Sequence, residues 1–213
     1  MTVVYTTVFG NTDPLHEPQC KTNARFICFT DQDIKSKHWE IVKVSPTDKP
    51  ATESRRYKCL PHLLFVDEIT IWVDACLDCF FKPDDLIKKY QGIITNFNHP
   101  DRTRITQEAE AIIKARKAPE ADIRKQLVCY QSEGFDTEAN PMKSLSNNGF
   151  ILRRNCKELN ELWWSEVKKH TRRDQMSLDY CAWKLGVTID RFKGNIRKNP
   201  YVRYNHYNRP VND

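Results

Sequence analysis

Two aspartates follow the apolar run ITIWV inside the segment WVDACLD. That run has the composition of a buried β-strand, and if the strand continues, Asp74, Cys76 and Asp78 alternate onto one of its faces. Mg²⁺ and Mn²⁺ prefer oxygen ligands, so the two aspartates suit either ion and the thiol of Cys76 does not. The segment therefore predicts a divalent-metal site at Asp74 and Asp78, unless Asp74 merely caps the turn after the strand.

A basic cluster precedes this segment in SRRYKCLPH, which contains Arg55, Arg56 and Lys58. Guanidinium and ammonium groups stabilise the negative charge that develops on a departing diphosphate. The cluster thus indicates a site for a phosphorylated ligand. A basic cluster on an exposed helix face is equally consistent with the sequence.

A second group of reactive side chains lies in NHPDR and the helical run after it: His99, Asp101, Arg102 and Glu108. A histidine beside a loop proline can act as a base, bind a ligand or only satisfy its own turn. The sequence leaves these three roles open.

The late segment RRDQMS places Asp174 and Gln175 at the start of a predicted helix. A carboxylate at this position can take part in chemistry. It can also serve only the helix N-terminus, because Thr171 and Asp174 have the spacing of a capping box. Both interpretations stay open at this point.

The elements that must position these residues read as an α/β fold. Short apolar runs such as VVYTTVF, RFICFT and ITIWV alternate with helical patterns over the first half of the chain. This order predicts one domain at 1–190 with a mostly parallel central sheet, helices on both faces and a helical C-terminal third, followed by a basic, aromatic tail at 191–213. Ligands of such sheets bind beyond the carboxyl ends of the strands, where Asp31 and Asp74 stand.

The motifs in their order resemble a glycosyltransferase-like family long catalogued as a domain of unknown function. They are YTTVFGNTDPL, CFTD, SRRYKCLPHLLF, IWVDA, NHPDR with QEAEA, GFILRRN and RDQMS. The family includes plant Golgi proteins implicated in cell-wall and mucilage polysaccharides, together with bacterial and viral proteins. The resemblance covers about residues 2 to 183, and its most specific parts are R-x-x-K-x-L-P-H, I-W-x-D and R-D-Q-x-S.

The resemblance implies a GT-A fold, a nucleoside-diphosphate sugar as donor and Mn²⁺ or Mg²⁺ near Asp74. It implies that Arg55 and Lys58 contact the donor and that Thr6, Thr7 and Asp31 line the nucleotide pocket. Asp174 and Gln175 would lie beside the anomeric carbon, and the sugar or acceptor would be contacted by His99, Arg102 and Glu108. Cys76 departs from the usual second ligand position, which bears on metal binding.

Charge and composition leave several acceptors open. The net charge is +6, and the tail mixes Arg and Lys with Tyr201, Tyr204 and Tyr207, which suits a polyanion or a solvated terminus. The acceptor is therefore expected to be a glycan or its lipid-linked precursor, or else hydroxymethylated bases in DNA, as in viral DNA modification. The alternative from another class is a non-catalytic nucleic-acid-binding protein that uses the same tail.

The cysteines and the N-terminus predict a cytoplasmic protein with reduced thiols. Eight cysteines occur, mostly inside apolar runs, and the Cys76–Cys79 spacing has no second Cys or His pair to complete a zinc site. MTVVYTTVFG has no secretory-signal pattern, and no apolar run reaches the roughly 20 residues that cross a bilayer.

Overall fold

A computed structural model describes residues 2–10, 14–20, 22–66, 69–154 and 156–205. These residues form the strands β1 (Thr2–Val8), β2 (Arg25–Thr30), β3 (Glu40–Lys43), β4 (Ile69–Val73), β5 (Leu77–Cys79), β6 (Ile94–Asn98), β7 (Ser146–Arg153), β8 (Ile189–Asn195) and β9 (Val202–Tyr204). The α-helices are α1 (Pro50–Cys59), α2 (Pro83–Lys89), α3 (Ile105–Lys114), α4 (Glu120–Ser132), α5 (Lys157–Lys169) and α6 (Leu178–Lys184). Short 3₁₀ turns lie at Pro61–Leu63 and Asp174–Met176.

The central sheet has the strand order β3-β2-β1-β4-β7-β6-β8. Its neighbouring strands are parallel except that β7 runs antiparallel to both β4 and β6. The predicted α/β fold with a mostly parallel sheet is therefore confirmed. Because β7 is reversed, its first residues lie beside the carboxyl ends of β4 and β6, where the predicted site residues stand.

Side chains from the sheet enter apolar cores on both of its faces. Along β1, Val3 and Tyr5 enter the core formed with α1, α3, α4, α5 and α6. Val4 and Val8 alternate with them and enter the core that contains α2 and β9. Burial on both faces explains the nearly continuous β-branched and aromatic composition of β1.

Strand β4 ends at Val73, which corrects the expectation that it continues through Asp78. The backbone turns immediately, and the amide of Leu77 donates to the carbonyl of Asp74 at 3.0 Å. Strand β5 then pairs with β9 in a separate two-stranded sheet. Asp74 and Asp78 are therefore not on one face of a single strand.

The last third of the chain contains more strand than the sequence predicts. Helices α5 and α6 form as expected, but β8 crosses the predicted boundary at residue 190 and pairs with β6 at the edge of the sheet. β9 continues the chain into the two-stranded sheet with β5. The rest of the predicted tail, residues 206–213, lies outside the described residues.

The described helices are all too short or too polar to span a bilayer. Several thiols are core residues, and burial raises the pKa of Cys28 to about 12, which keeps that side chain in its thiol form.

Candidate active site

Lys58 joins two carboxylates that are far apart in the sequence. Its ammonium lies 3.2 Å from Asp74 Oδ1 and 3.1 Å from Asp174 Oδ2. The side chain is only 5% exposed, since Tyr57 and Cys59 on either side of it anchor the end of α1 in the core. A buried ammonium needs such partners, because desolvating an unpaired charge is costly. Three of the predicted site residues thus form one centre.

Arg55 adds a second cation to this centre. Its Nε lies 3.4 Å from Asp174 Oδ1, one turn before Lys58 on α1. The predicted alternative of a basic cluster on an exposed helix face does not hold for these two side chains. Arg56, in contrast, is half-exposed and pairs with Glu53.

Asp174 is ionised in this environment. Burial alone would raise its pKa, but Lys58, Arg55 and Arg173 outweigh that effect and lower the pKa to about 2. A carboxylate that holds its proton so weakly is a poor general base. It is well suited to stabilise a nearby positive charge.

The capping-box alternative for Asp174 is wrong. No side-chain hydrogen bond caps the turn Asp174–Met176 or helix α6. Thr171 instead donates to Gln126 Oε1 at 2.9 Å, because its side chain is buried toward α4. Gln175 follows Asp174 and is half-buried.

The two carboxylate oxygens of Asp74 have different surroundings. Its Oδ1 accepts a hydrogen bond from Trp72 Nε1 at 2.7 Å in addition to its contact with Lys58. Its Oδ2 accepts none from the described residues and faces Gly149, where an added Cβ would lie 3.3 Å away. A side chain at Gly149 would therefore crowd this oxygen. The turn after β4 is held by the backbone carbonyl of Asp74, so its carboxylate is not a turn cap.

Asp78, the second predicted metal ligand, is engaged by two residues from other segments. Its carboxylate accepts hydrogen bonds from Asn205 Nδ2 at 3.2 and 3.3 Å and lies 3.4 Å from His16 Nδ1. Within the described part of the chain, no three His, Cys, Asp or Glu side chains converge in a way that could hold a metal ion. The pairing of Asp74 and Asp78 at a divalent ion therefore stays a prediction.

His99, Arg102 and Glu108 form the second predicted group. Arg102 Nε donates to Glu108 Oε2 at 2.6 Å, and Arg102 Nη2 lies 2.7 Å from His99 Nε2. His99 Nδ1 accepts from the backbone amides of Asp101 and Arg102, both at 3.1 Å, so the ring does satisfy its own turn. Helix α3, which carries Glu108, packs against the turn that bears Asp174.

The buried ring of His99 predicts an acid-sensitive fold. Burial, reinforced by the guanidinium of Arg102, lowers its pKa to about 4. The unfolded chain binds this proton at about pH 6.5, so the neutral ring contributes full stability above that pH and loses it as the pH falls toward 4. His99→Gln should flatten the loss of urea-unfolding free energy across this window, whereas the exposed His38→Gln should not. Equal slopes in His99→Gln and the unsubstituted protein would contradict this role.

The predicted nucleotide residues separate onto two faces. Thr7 Oγ1 lies 2.7 Å from Ser54 Oγ on α1, while Thr6 points to the opposite face and is 1% exposed. Thr6 therefore does not join Thr7 in one pocket. Asp31 accepts a hydrogen bond from the amide of Gly10 at 3.1 Å. Gly10 has a φ of 65°, and an added Cβ would lie 2.8 Å from Pro50, so the loop requires glycine there.

Two residues beside Asp74 were missed by the sequence analysis. Asn147 Oδ1 accepts from the amide of Gly149 at 3.1 Å at the start of β7. Tyr204 is a hydrogen-bond partner of Asn147, and burial, together with the nearby carboxylate of Asp74, raises its pKa to about 12. The polar run SNNG before the apolar part of β7 was a usable signal for Asn147. No such signal marked Tyr204, since only the pairing of β9 with β5 brings this residue near Asp74.

Comparisons with known proteins agree with the resemblance seen in the motifs. The sequence model described as the TOD1/MUCI70, glycosyltransferase-like domain matches residues 21–206. Probable hexosyltransferase MUCI70 of Arabidopsis thaliana is 27% identical over 188 residues, which cover 79% of this chain and 32% of that protein. The chain thus spans about a third of the length of this curated relative. Among solved structures, mouse xyloside xylosyltransferase 1 in its apo form matches 90% of this chain and 84% of its own, with 8% identity and a TM-score of 0.48.

Proposed function

The chain belongs to the TOD1/MUCI70 glycosyltransferase-like family, and on that premise we propose that it transfers a sugar from a nucleoside-diphosphate sugar to a hydroxyl group of a glycan. One observation carries the proposal. The buried ammonium of Lys58 lies between Asp74 and Asp174. These two aspartates belong to two separate motifs of the family resemblance. Asp74 follows the carboxyl end of β4, and the carboxyl ends of the strands are where an α/β sheet binds its ligands.

In the proposed reaction, Asp174 stabilises the positive charge that develops on the anomeric carbon as its bond to the diphosphate breaks. Its low pKa favours this electrostatic role over that of a base. The acceptor hydroxyl forms the new bond, and a diphosphate oxygen is the available base for its proton. Lys58 and Arg55 hold Asp174 in place, and Arg55, which is partly exposed, can also face the diphosphate.

Asp74 Oδ2 is the proposed contact for the donor on the strand side of the centre. It opens toward Gly149 and lies near Asn147 and Tyr204, which can hydrogen-bond sugar hydroxyl groups. No step is assigned to a metal, since the carboxylate of Asp78 is already engaged by His16 and Asn205. A requirement for Mn²⁺ or Mg²⁺ remains a prediction that the assay below tests.

Glycan or lipid-linked precursor remains the proposed acceptor class. Two basic residues of the predicted tail already have partners within the domain. Arg197 pairs with Asp101 at 2.7 and 2.8 Å, and the guanidinium of Arg203 lies 4.9 Å from the ring centre of Phe80. A DNA acceptor and a non-catalytic nucleic-acid binder therefore stay predictions from the sequence.

A thermal-shift panel of nucleoside diphosphates and their sugars, run with and without Mn²⁺, tests the proposal together with donor hydrolysis. A ligand that binds only the native state raises the melting temperature, by an amount equivalent to about 2.7 kcal/mol at a hundredfold excess over Kd. We expect at least one donor to stabilise the protein and to be hydrolysed slowly. If no donor does either, while duplex DNA stabilises the protein, the transferase proposal is wrong.

A further inference from the structure

Two clefts open along helix α2, and neither Asp74 nor Asp174 lines them. One has a volume of about 360 Å³ and is lined by aromatic and apolar side chains together with Lys82, Asp85 and Lys89. The other has a volume of about 640 Å³ and is lined by polar groups. Both are bordered by Lys82 and Asp85, so they meet there. We refer to the two clefts together as the α2 groove.

The aromatic half of the α2 groove is held rigid. The hydroxyl of Tyr201 lies 3.0 Å from that of Tyr90 and accepts a hydrogen bond from Lys89 Nζ at 2.9 Å. Its carbonyl accepts from the amide of Phe80 at 2.8 Å, and the guanidinium of Arg203 stacks on the ring of Phe80. Rings that are fixed before binding lose little conformational entropy when a ligand arrives.

The lining indicates the chemistry of the ligand. Pockets of roughly 300–1,000 Å³ with aromatic walls and a few polar groups are typical of sites for small organic ligands. Sugar rings match such a lining, because they carry apolar C–H faces and a rim of hydroxyl groups. The charged groups are of both signs, with Lys82, Lys88 and Lys89 beside Asp84 and Asp85. Because the two carboxylates offset most of the charge of the three ammonium groups, the groove has only a small excess of positive charge for a polyanion, which favours an uncharged, hydroxyl-rich ligand.

The α2 groove is connected to the candidate active site by the β5–β9 ribbon. At one end of the ribbon, Tyr204 pairs with Leu77 and lies near Asp74. At the other end, Phe80 and Tyr201 are joined by their backbone hydrogen bond. Three residues of strand span about 10 Å, a distance that an oligosaccharide of a few residues covers.

We infer that the α2 groove binds the uncharged glycan chain of the acceptor, a few sugar residues away from the hydroxyl that reacts. This inference rests on the proposed sugar transfer, but binding of a glycan to the groove can be measured independently of it.

The test titrates the intact protein with cellohexaose, mannohexaose and xylohexaose by calorimetry and saturation-transfer NMR. Hexagalacturonate and duplex DNA serve as charged probes. At least one uncharged hexasaccharide should bind more tightly than its monosaccharide and than both charged probes. Tyr201→Ala should weaken this binding about tenfold, equivalent to 1.4 kcal/mol, whereas Tyr201→Phe keeps the ring and should change it less than about threefold.

Lys82→Trp provides a second variant, since Lys82 is exposed where the two clefts meet and its replacement fills the groove without altering the core. Lys82→Trp should also weaken binding about tenfold. Trp183 is an exposed aromatic residue elsewhere on the surface, so Trp183→Ala should not weaken binding. Donor hydrolysis should persist in all four variants, which separates failure of the groove from failure of the proposed transferase. Unchanged binding in Lys82→Trp, tighter binding of a charged probe, or a dimer that Lys82→Trp dissociates would each overturn the inference.

Discussion

Asp174→Asn is expected to lower the turnover of sugar transfer by about two orders of magnitude or more, with donor affinity largely kept. The substitution preserves the shape of the side chain but removes the negative charge next to the proposed position of the anomeric carbon. The loss should therefore appear in kcat and only weakly in the affinity for the donor. Single-turnover transfer and calorimetric titration of the donor measure the two quantities separately.

Asp136→Asn is the matched control for this variant. Asp136 is also buried and paired with an arginine, Arg104, at 2.8 Å, but it holds the start of α3 and lies outside the charged centre. Both variants should lower the melting temperature, because each removes the charge of a buried carboxylate that pairs with a cation. Only Asp174→Asn should lose turnover. If the two variants lose stability alike and both retain full turnover, Asp174 is a structural residue.

Gln175→Ala distinguishes the role of Gln175 from that of its neighbour Asp174 on the same turn. Gln175 is half-buried and its side chain is not part of the charge network described for Asp174. A loss of turnover with no change in the melting temperature would assign the amide to the reacting sugar. A melting temperature that falls with unchanged turnover would assign it to the turn.

The order of elements was largely predictable because it depends on local patterns. Strand β1 is β-branched and aromatic along its length, and α2 begins with proline and two aspartates and ends with lysines. Each signal lies within a few residues of the element that it predicts. Strand β4 ended earlier than expected because the backbone turns at Asp74, whose carbonyl accepts a hydrogen bond from the amide of Leu77, and the apolar residues that follow belong to a different sheet.

The composition of the site was predictable only in part, because its contacts join distant segments. Lys58 and Asp174 were each identified from their own motifs, but nothing local indicates that their side chains meet. Thr6 was misplaced because motif resemblance ignores the alternation of side chains along β1. Tyr204 was assigned to a basic tail, since its strand forms only by pairing with a segment more than a hundred residues earlier.

Asp74→Ala and Asp78→Ala are expected to differ sharply, although the two residues stand in one short segment. Asp74→Ala should abolish transfer or lower it by about a thousandfold, because it removes the donor contact and one of the two carboxylates that pair with Lys58 in the described part of the chain. Asp78→Ala should keep most of the turnover, since its carboxylate is engaged by Asn205 and His16.

The comparison also decides between the sequence-based metal pair and the geometry of the folded chain. A divalent ion held by both aspartates would require both, so the two variants would lose transfer equally and would both need more Mn²⁺ for half-maximal activity. A centre built on Asp74 and Lys58 requires Asp74 and does not require Asp78. Transfer measured across a Mn²⁺ series, with circular dichroism to confirm folding, distinguishes the two cases. Equal losses in folded Asp74→Ala and Asp78→Ala would return Asp78 to the active site and refute the arrangement proposed for this centre.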